Sequence, residues 1–233
     1  IIVEMTGPEK DVDNIRVSER SGEVIISESP SGRSRNHSVN ISNISICSGN
    51  ISIGGRGAQV ILSDSSRSEN TTKVVVKVPK RTKLILDHIF GDIRVGDTEG
   101  DIDLNLREIW DAHIGHVKNA RLRIRGTGSV DVAHVASSLD ARVSGAGDVR
   151  VTEIRTETAE LRVSGTGSIQ LNRGGIGEME ARVSGVGNVY FGGCARRADL
   201  RVSGVGVIHV SRVMERPRKR VSGIGSINID RVG

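Results

Sequence analysis

The sequence predicts an all-β protein, a right-handed parallel β-helix (solenoid) with coils of 19–20 residues, and three observations carry that prediction. A six-residue motif ending in Gly-x-Gly returns six times at nearly constant spacing. Apolar and polar residues alternate with a period of two inside each copy. Aromatic residues make up only 2% of the 233-residue chain, beside 29 glycines and 4 prolines.

The repeat comes first, because a fixed period of this length is the signature of stacked architectures. Arg123-Ile124-Arg125-Gly126-Thr127-Gly128 is followed by Arg142-Val143-Ser144-Gly145-Ala146-Gly147 and Arg162-Val163-Ser164-Gly165-Thr166-Gly167. The pattern returns at Arg182 with Gly185 and Gly187, at Arg201 with Gly204 and Gly206, and at Arg220 with Gly223 and Gly225.

Each copy reads as strand, since side chains two apart share a face. In the coil from Asp140 to Ile154, Ala141 and Val143 point one way and Asp140 and Arg142 the other. Past the glycine corner, Val149 and Val151 alternate with Asp148 and Arg150, and Ile154 begins a third short side. The apolar column Val130, Val149, Ile169, Val189, Ile208, Ile227 runs through all six copies. A second column, Val132, Val151, Leu171, Phe191, Val210, Ile229, follows two residues later. Stacking is required, because one coil can bury too little apolar surface to order itself without neighbours. The scarcity of aromatics predicts a narrow aliphatic core in which Trp and Phe do not fit.

Glycine allows positive φ and close backbone approach, so the Gly-x-Gly pairs read as tight corners. A phosphate-cradling glycine loop leads into a helix, whereas these lead into strands.

The first half carries the same theme less regularly. Residues 74–78, 84–86, 91–95 and 100–104 read as alternating strands, with earlier ones over 39–53 and 60–62. Residues 28–38 and 63–72, rich in Ser, Arg and Asn, read as loops. No linker separates two domains. Residues 1–75 form an irregular β part that continues or caps the solenoid, and residues 76–233 form the regular repeats.

The formal net charge is +5, from 33 basic and 28 acidic residues spread along the chain. Cys47 and Cys194 lie too far apart to suggest a disulfide framework, and Cys194 reads as an inward, core position. No apolar stretch approaches transmembrane length, and no signal peptide is evident. The chain opens on Ile1, which fits a mature or trimmed form.

The repeated Val-Ser-Gly-x-Gly-x-Val/Ile units resemble the head GIN domain family of auto-transporter adhesin heads. The stretch from Val78-Pro79-Lys80 through the Gly-Asp-Ile turns is similar to related adhesin-like β-solenoid domains of bacterial envelope proteins. The resemblance covers residues 74–233. It implies a β-helical fold and an exported protein, periplasmic or on the cell surface of a bacterium, and it carries over no catalytic residue.

The most regular surface feature is a ladder of arginines: Arg123, Arg142, Arg162, Arg182, Arg201 and Arg220. Two residues before four of them stand Asp140, Glu160, Glu180 and Asp199, replaced at the ends by Arg121 and Arg218. Stacked like charges repel, and a neighbouring column of opposite charge relieves that. The ladder therefore reads as a structural ion-paired wall, with a polyanion-binding stripe as the other reading. Under that second reading the best segment is Arg216, Arg218, Lys219 and Arg220.

A second outward column, Asp131, Arg150, Gln170, Tyr190, His209, Asn228, changes chemistry from coil to coil. Arg150, Gln170, Tyr190 and His209 could contact a glycan or a protein, or could simply face solvent. His113 and His116 near Asp111 lack a convincing third ligand, so no metal is expected. The Gly-Asp turns at 91 and 100 lack the glycine-rich repeat of calcium β-rolls and read as turn-forming Asp. Trp110 reads as a plug for a wider coil. No catalytic residue is assigned, and no cofactor is expected.

The expected function is a non-enzymatic bacterial envelope or surface solenoid acting as adhesin, scaffold or assembly element. The alternative is a glycan-binding or glycan-processing β-helix. Interleaved acids and scarce aromatics argue against nucleic acid. The expected partners are a surface glycan or envelope protein and a second copy of the chain, in a homo-oligomer through the C-terminal coil.

Overall fold

A computed structural model describes residues 2–6, 15–20, 23–28, 58–63, 73–78, 81–87, 92–107 and 111–233, with side chains for 81–87, 93–107 and 111–233. The described residues are all β, with parallel strands stacked as a β-solenoid of about 7 turns. The expected strands over 39–53, the loop interiors, Cys47 and Trp110 lie outside the described residues.

The regular part is built from β9 (Ala112–Ile124), β10 (Thr127–Val143), β11 (Ala146–Val163), β12 (Thr166–Val183), β13 (Val186–Val202), β14 (Val205–Val213), β15 (Arg218–Val221) and β16 (Ile224–Val232). The long strands run round the bends of the coil and pair with the next coil in parallel. Val130 faces Val149, Val149 faces Ile169, and Ile169 faces Val189, as the first apolar column requires. Every member of that column up to Ile208 is buried, and Ile227 packs partly buried against it.

The corners repeat one hydrogen-bond pattern. Ser164 and Gly165 both donate backbone N–H to the Val143 carbonyl, at 2.8 and 3.2 Å, and Thr166 donates to Gly145 at 2.9 Å. The same bonds recur at Ser184, Gly185 and Val186, one coil on. The two glycines of a corner serve different needs. A Cβ on Gly165 would overlap the Gly145 carbonyl oxygen, so this position needs space rather than a special φ. Gly167 meets the same crowding from Gly147 and also adopts φ +156°.

One wall of the core is packed as a checkerboard. Ala120, Leu139, Ala159, Met179 and Ala198 form one buried column, and Leu122, Ala141, Leu161, Ala181 and Leu200 form its neighbour. Each coil thus carries one large and one small side chain, in alternating order. This arrangement keeps the coil's cross-section constant and lets the layers interdigitate.

Two expectations about the core are corrected. Phe191 is fully buried, so an aromatic ring does fit. The space above Gly193 is occupied by the Phe191 ring, so the missing side chain at that glycine makes the room. Cys194 is half-buried rather than inward, and Ala195 takes the core position. Val189, Phe191 and Ala195 share one unbroken alternation in β13, which leaves Cys194 on the other parity.

Towards the N-terminus the pairing changes direction. β1 (Ile2–Thr6) and β4 (Ala58–Ser63) both pair antiparallel with β5 (Lys73–Val78), and β4 pairs antiparallel with β7 (Asp92–Val95). β7 then pairs parallel with β9. On the other wall, β2 (Ile15–Arg20) and β3 (Glu23–Glu28) form an antiparallel pair, and β3 leads in parallel through β6 (Lys83–Asp87) and β8 (Asp101–Leu106) to β9.

Candidate functional site

The arginine column lies in unbroken parallel register from Arg123 to Arg220. The acids two residues earlier form their own column, from Asp140 to Asp199, with Arg121 before it and Arg218 after it. Strand parity puts both columns on the outer face, and the structure pairs them. Arg142 Nε lies 2.9 Å from Asp140, and its Nη2 reaches Glu160 of the next coil at 3.5 Å. Arg162 pairs with Glu160 and Arg182 with Glu180. Arg201 donates two bonds to Asp199, at 3.1 and 2.9 Å. At the N-terminal end Asp103 accepts from Arg121 at 3.4 Å and Arg123 at 3.2 Å.

The other flank of the same arginines is a groove. Ser144, Ser164, Ser184, Ser203 and Ser222 stand two residues after their arginines, and Arg125 takes the equivalent place in the first copy. The serines, Arg125 and the arginine column line a surface groove of about 730 Å³, and no carboxylate is among its lining residues. Two serine hydroxyls are partly engaged, Ser144 donating to the Ile124 carbonyl at 3.2 Å and Ser164 to Val143 at 3.4 Å. Arg142, Arg162, Arg182 and Arg201 therefore each have an acid-paired side and a side that opens on hydroxyls. The signal for this groove in the sequence is the Ser that five of the six copies carry, which there reads as part of a corner.

The C-terminal segment divides. Arg218 and Arg220 continue the outward columns, facing Asp199 and Arg201 in register, whereas Lys219 occupies the position of inward Leu200. Arg216 precedes the strand and is exposed. Arg220 lines the groove; Arg216, Arg218 and Lys219 do not.

The varied column also holds register, from His113 through Asp131, Arg150, Gln170, Tyr190 and His209 to Asn228. Its members pair across coils. Asp131 meets His113 at 3.6 Å and Arg150 at 3.5 Å, and the Tyr190 and His209 rings stack in parallel planes, 5.1 Å apart and 4° off. His209 also approaches Asp230 at 3.3 Å.

His113, His116 and Asp111 do not converge. Asp111 accepts from the Ser129 backbone and hydroxyl at 2.9 and 2.7 Å, while His116 turns to Asp97 at 3.7 Å. Among the described residues, no group of three or more potential ligands could hold a metal ion. No helix there is long and apolar enough to cross a membrane.

Residues 2–194 match the family model described as "Putative auto-transporter adhesin, head GIN domain". The match starts well before residue 74, where the sequence resemblance began, so the irregular N-terminal part belongs to it. A crystal structure of "a putative adhesin" from Bacteroides fragilis NCTC 9343 is similar with a TM-score of 0.56 and 17% identity, over 97% of this chain and 81% of that one. At that identity the likeness concerns the fold. A search of curated proteins gives no match to this chain.

Proposed function

The chain belongs to the head GIN domain family of auto-transporter adhesins, and from that premise we propose that it is a non-enzymatic, exported bacterial solenoid acting as an adhesin or surface scaffold. The observation that carries this reading is the repetition itself. The same arginine, with an acid on one side and a serine on the other, returns in register at Arg142, Arg162, Arg182 and Arg201. Catalysis needs unlike groups converging at one place. A repeated surface instead multiplies a modest contact along an extended partner, so that avidity exceeds each single affinity.

The test is a panel of purified bacterial surface polysaccharides presented to the immobilised chain, with chromatography of the recovered polymers. Retention of one or more polymers with unchanged length is the expected result. Shortened polymers or unsaturated ends would mean a glycan-processing β-helix instead.

A further inference from the structure

We infer that the groove between the arginine and serine columns binds a linear acidic polysaccharide, with its carboxylate or sulfate groups on successive arginines and its hydroxyls on successive serines. This inference rests on the adhesin-like reading and names the ligand of that surface.

Three features of the groove lead to that chemistry. It is basic without a carboxylate in its lining, although the ladder as a whole is ion-paired. The acids approach each arginine from the other flank, so partial neutralisation keeps the wall stable while the serine flank stays open to an anion. An arginine carries five N–H donors, and the pairs seen here engage only some of them: Arg201 bonds Asp199 through Nε and Nη2. Planar guanidinium groups suit carboxylate and sulfate oxygens, which they can take in bidentate fashion.

The groove is also periodic. Successive rungs lie about 4.8 Å apart, the distance between paired strands. A polymer bearing regularly spaced anionic groups can follow such a track, whereas a small anion would use one rung and gain nothing from the rest. Positive charge is added at the two ends: Arg125 replaces the serine in the lining at one, and at the other Arg218, outside the lining, replaces the acid beside Arg220. Hydroxyls between the charges suit a sugar chain. Single-stranded nucleic acid, the competing polyanion, binds by stacking bases on aromatic side chains, and the groove lining has none.

Binding is measured by biolayer interferometry with polygalacturonate, heparin, neutral dextran and a thymidine oligonucleotide. Wild-type chain should bind polygalacturonate, heparin or both, more weakly as salt rises, and should ignore dextran. Ser164→Asp with Ser184→Asp places two carboxylates in the groove and leaves every arginine and its acid partner intact. That variant should lose at least tenfold in affinity while its melting temperature stays within a few degrees of wild type, and the uncharged Ser164→Asn, Ser184→Asn pair, which lacks the hydroxyls but adds no charge, should lose clearly less. Equal binding by the Asp and wild-type chains would remove the groove from the site. Failure of wild type on both acidic polymers, or tighter binding of the oligonucleotide, would overturn the ligand class. If the chain still retained surface polysaccharides intact in any of these cases, the adhesin-like reading would stand without the groove. Polymer cleavage would remove that reading whatever the groove variants did.

Discussion

Leu161 stands in parallel register with Ala141 of the coil before it, and Ala181 follows it in the next. The leucine thus fills the layer between two small side chains, and both alanines are fully buried beside it. Leu161→Ala would leave three alanines in a row, none able to reach into the vacated space. The loss should fall toward the upper end of the roughly 2–5 kcal/mol found for large-to-small core changes. Urea unfolding measures it, and a loss under about 1 kcal/mol would mean that the coils simply close together.

The corners make a sharper demand. Gly165 and Gly167 are both pressed against carbonyl oxygens of the preceding coil, and Gly167 has positive φ as well. Replacing both by Val should cost at least about 3 kcal/mol, since strained backbone alone contributes on the order of 1–3 kcal/mol per site. Gly175 is the matched control: nothing lies within 4 Å of a Cβ built there. Gly175→Ala should be neutral or slightly stabilising, by up to about 1 kcal/mol. Melting temperatures of the two variants should diverge widely; similar values would show that close stacking does not hold the corners.

How much of this was legible in the sequence follows from what a period of two can reveal. Strict spacing from Arg123 onward places Val149 over Val130 and Arg142 over Arg123, and the structure agrees. Alternation carries no strand direction, so the antiparallel pairing of β4 and β5 was hidden. Nor does it register a bulge: the shift between Leu171 and Gly175 sets Ala195 beside Ile176, where a constant spacing of twenty would set it beside Gly175. Phe191 was misjudged because its accommodation depends on the glycine at 193, and only placement in space joins that glycine to the ring. The exchange of small and large side chains between Ala159, Leu161, Met179 and Ala181 was present in the sequence, but only register shows that the two columns alternate out of phase.

Phe191 offers a direct check on that accommodation. It is fully buried, and its ring edge lies 2.7 Å from where a Cβ on Gly193 would stand. Phe191→Ala should cost about 3–5 kcal/mol. Phe191→Leu restores the residue type found at Leu171 and should cost clearly less. If the two were equally damaging by chemical denaturation, the ring would matter for more than the volume it fills.

The arginine ladder should be far more forgiving. Arg162 and Arg182 side chains are 39% and 38% exposed, and exposed ion pairs contribute about 0–1 kcal/mol each. Arg162→Ser with Arg182→Ser should therefore lower stability by no more than about 2 kcal/mol. Because Glu180 then loses its arginine and Glu160 keeps only the 3.5 Å contact from Arg142, added salt should recover part of the loss by screening the repulsion between the stacked carboxylates. A loss well above this range, insensitive to salt, would give the ladder a packing role beyond charge balance.

At Glu153 the stability of the fold is linked to a proton. Its side chain is 23% exposed and stands in register between His134 and Arg173. Partial burial alone would push its carboxyl up, but Arg155 at 2.9 Å and Arg173 at 3.2 Å, with His134 beneath, hold it below the ordinary carboxylate range. A carboxyl depressed by folding stabilises the native state above its unfolded-chain value, and that contribution is lost as pH falls through the folded value. The Glu153 carboxyl carbon, followed by NMR, should titrate lower than a free glutamate. Arg173→Gln removes one of its two cations and should move the midpoint upward without changing the fold. The same variant should show a shallower loss of stability on acidification than wild type, since less of its stability is linked to this proton. A Glu153 midpoint that did not move in Arg173→Gln would mean that the 3.2 Å pair does not persist in solution.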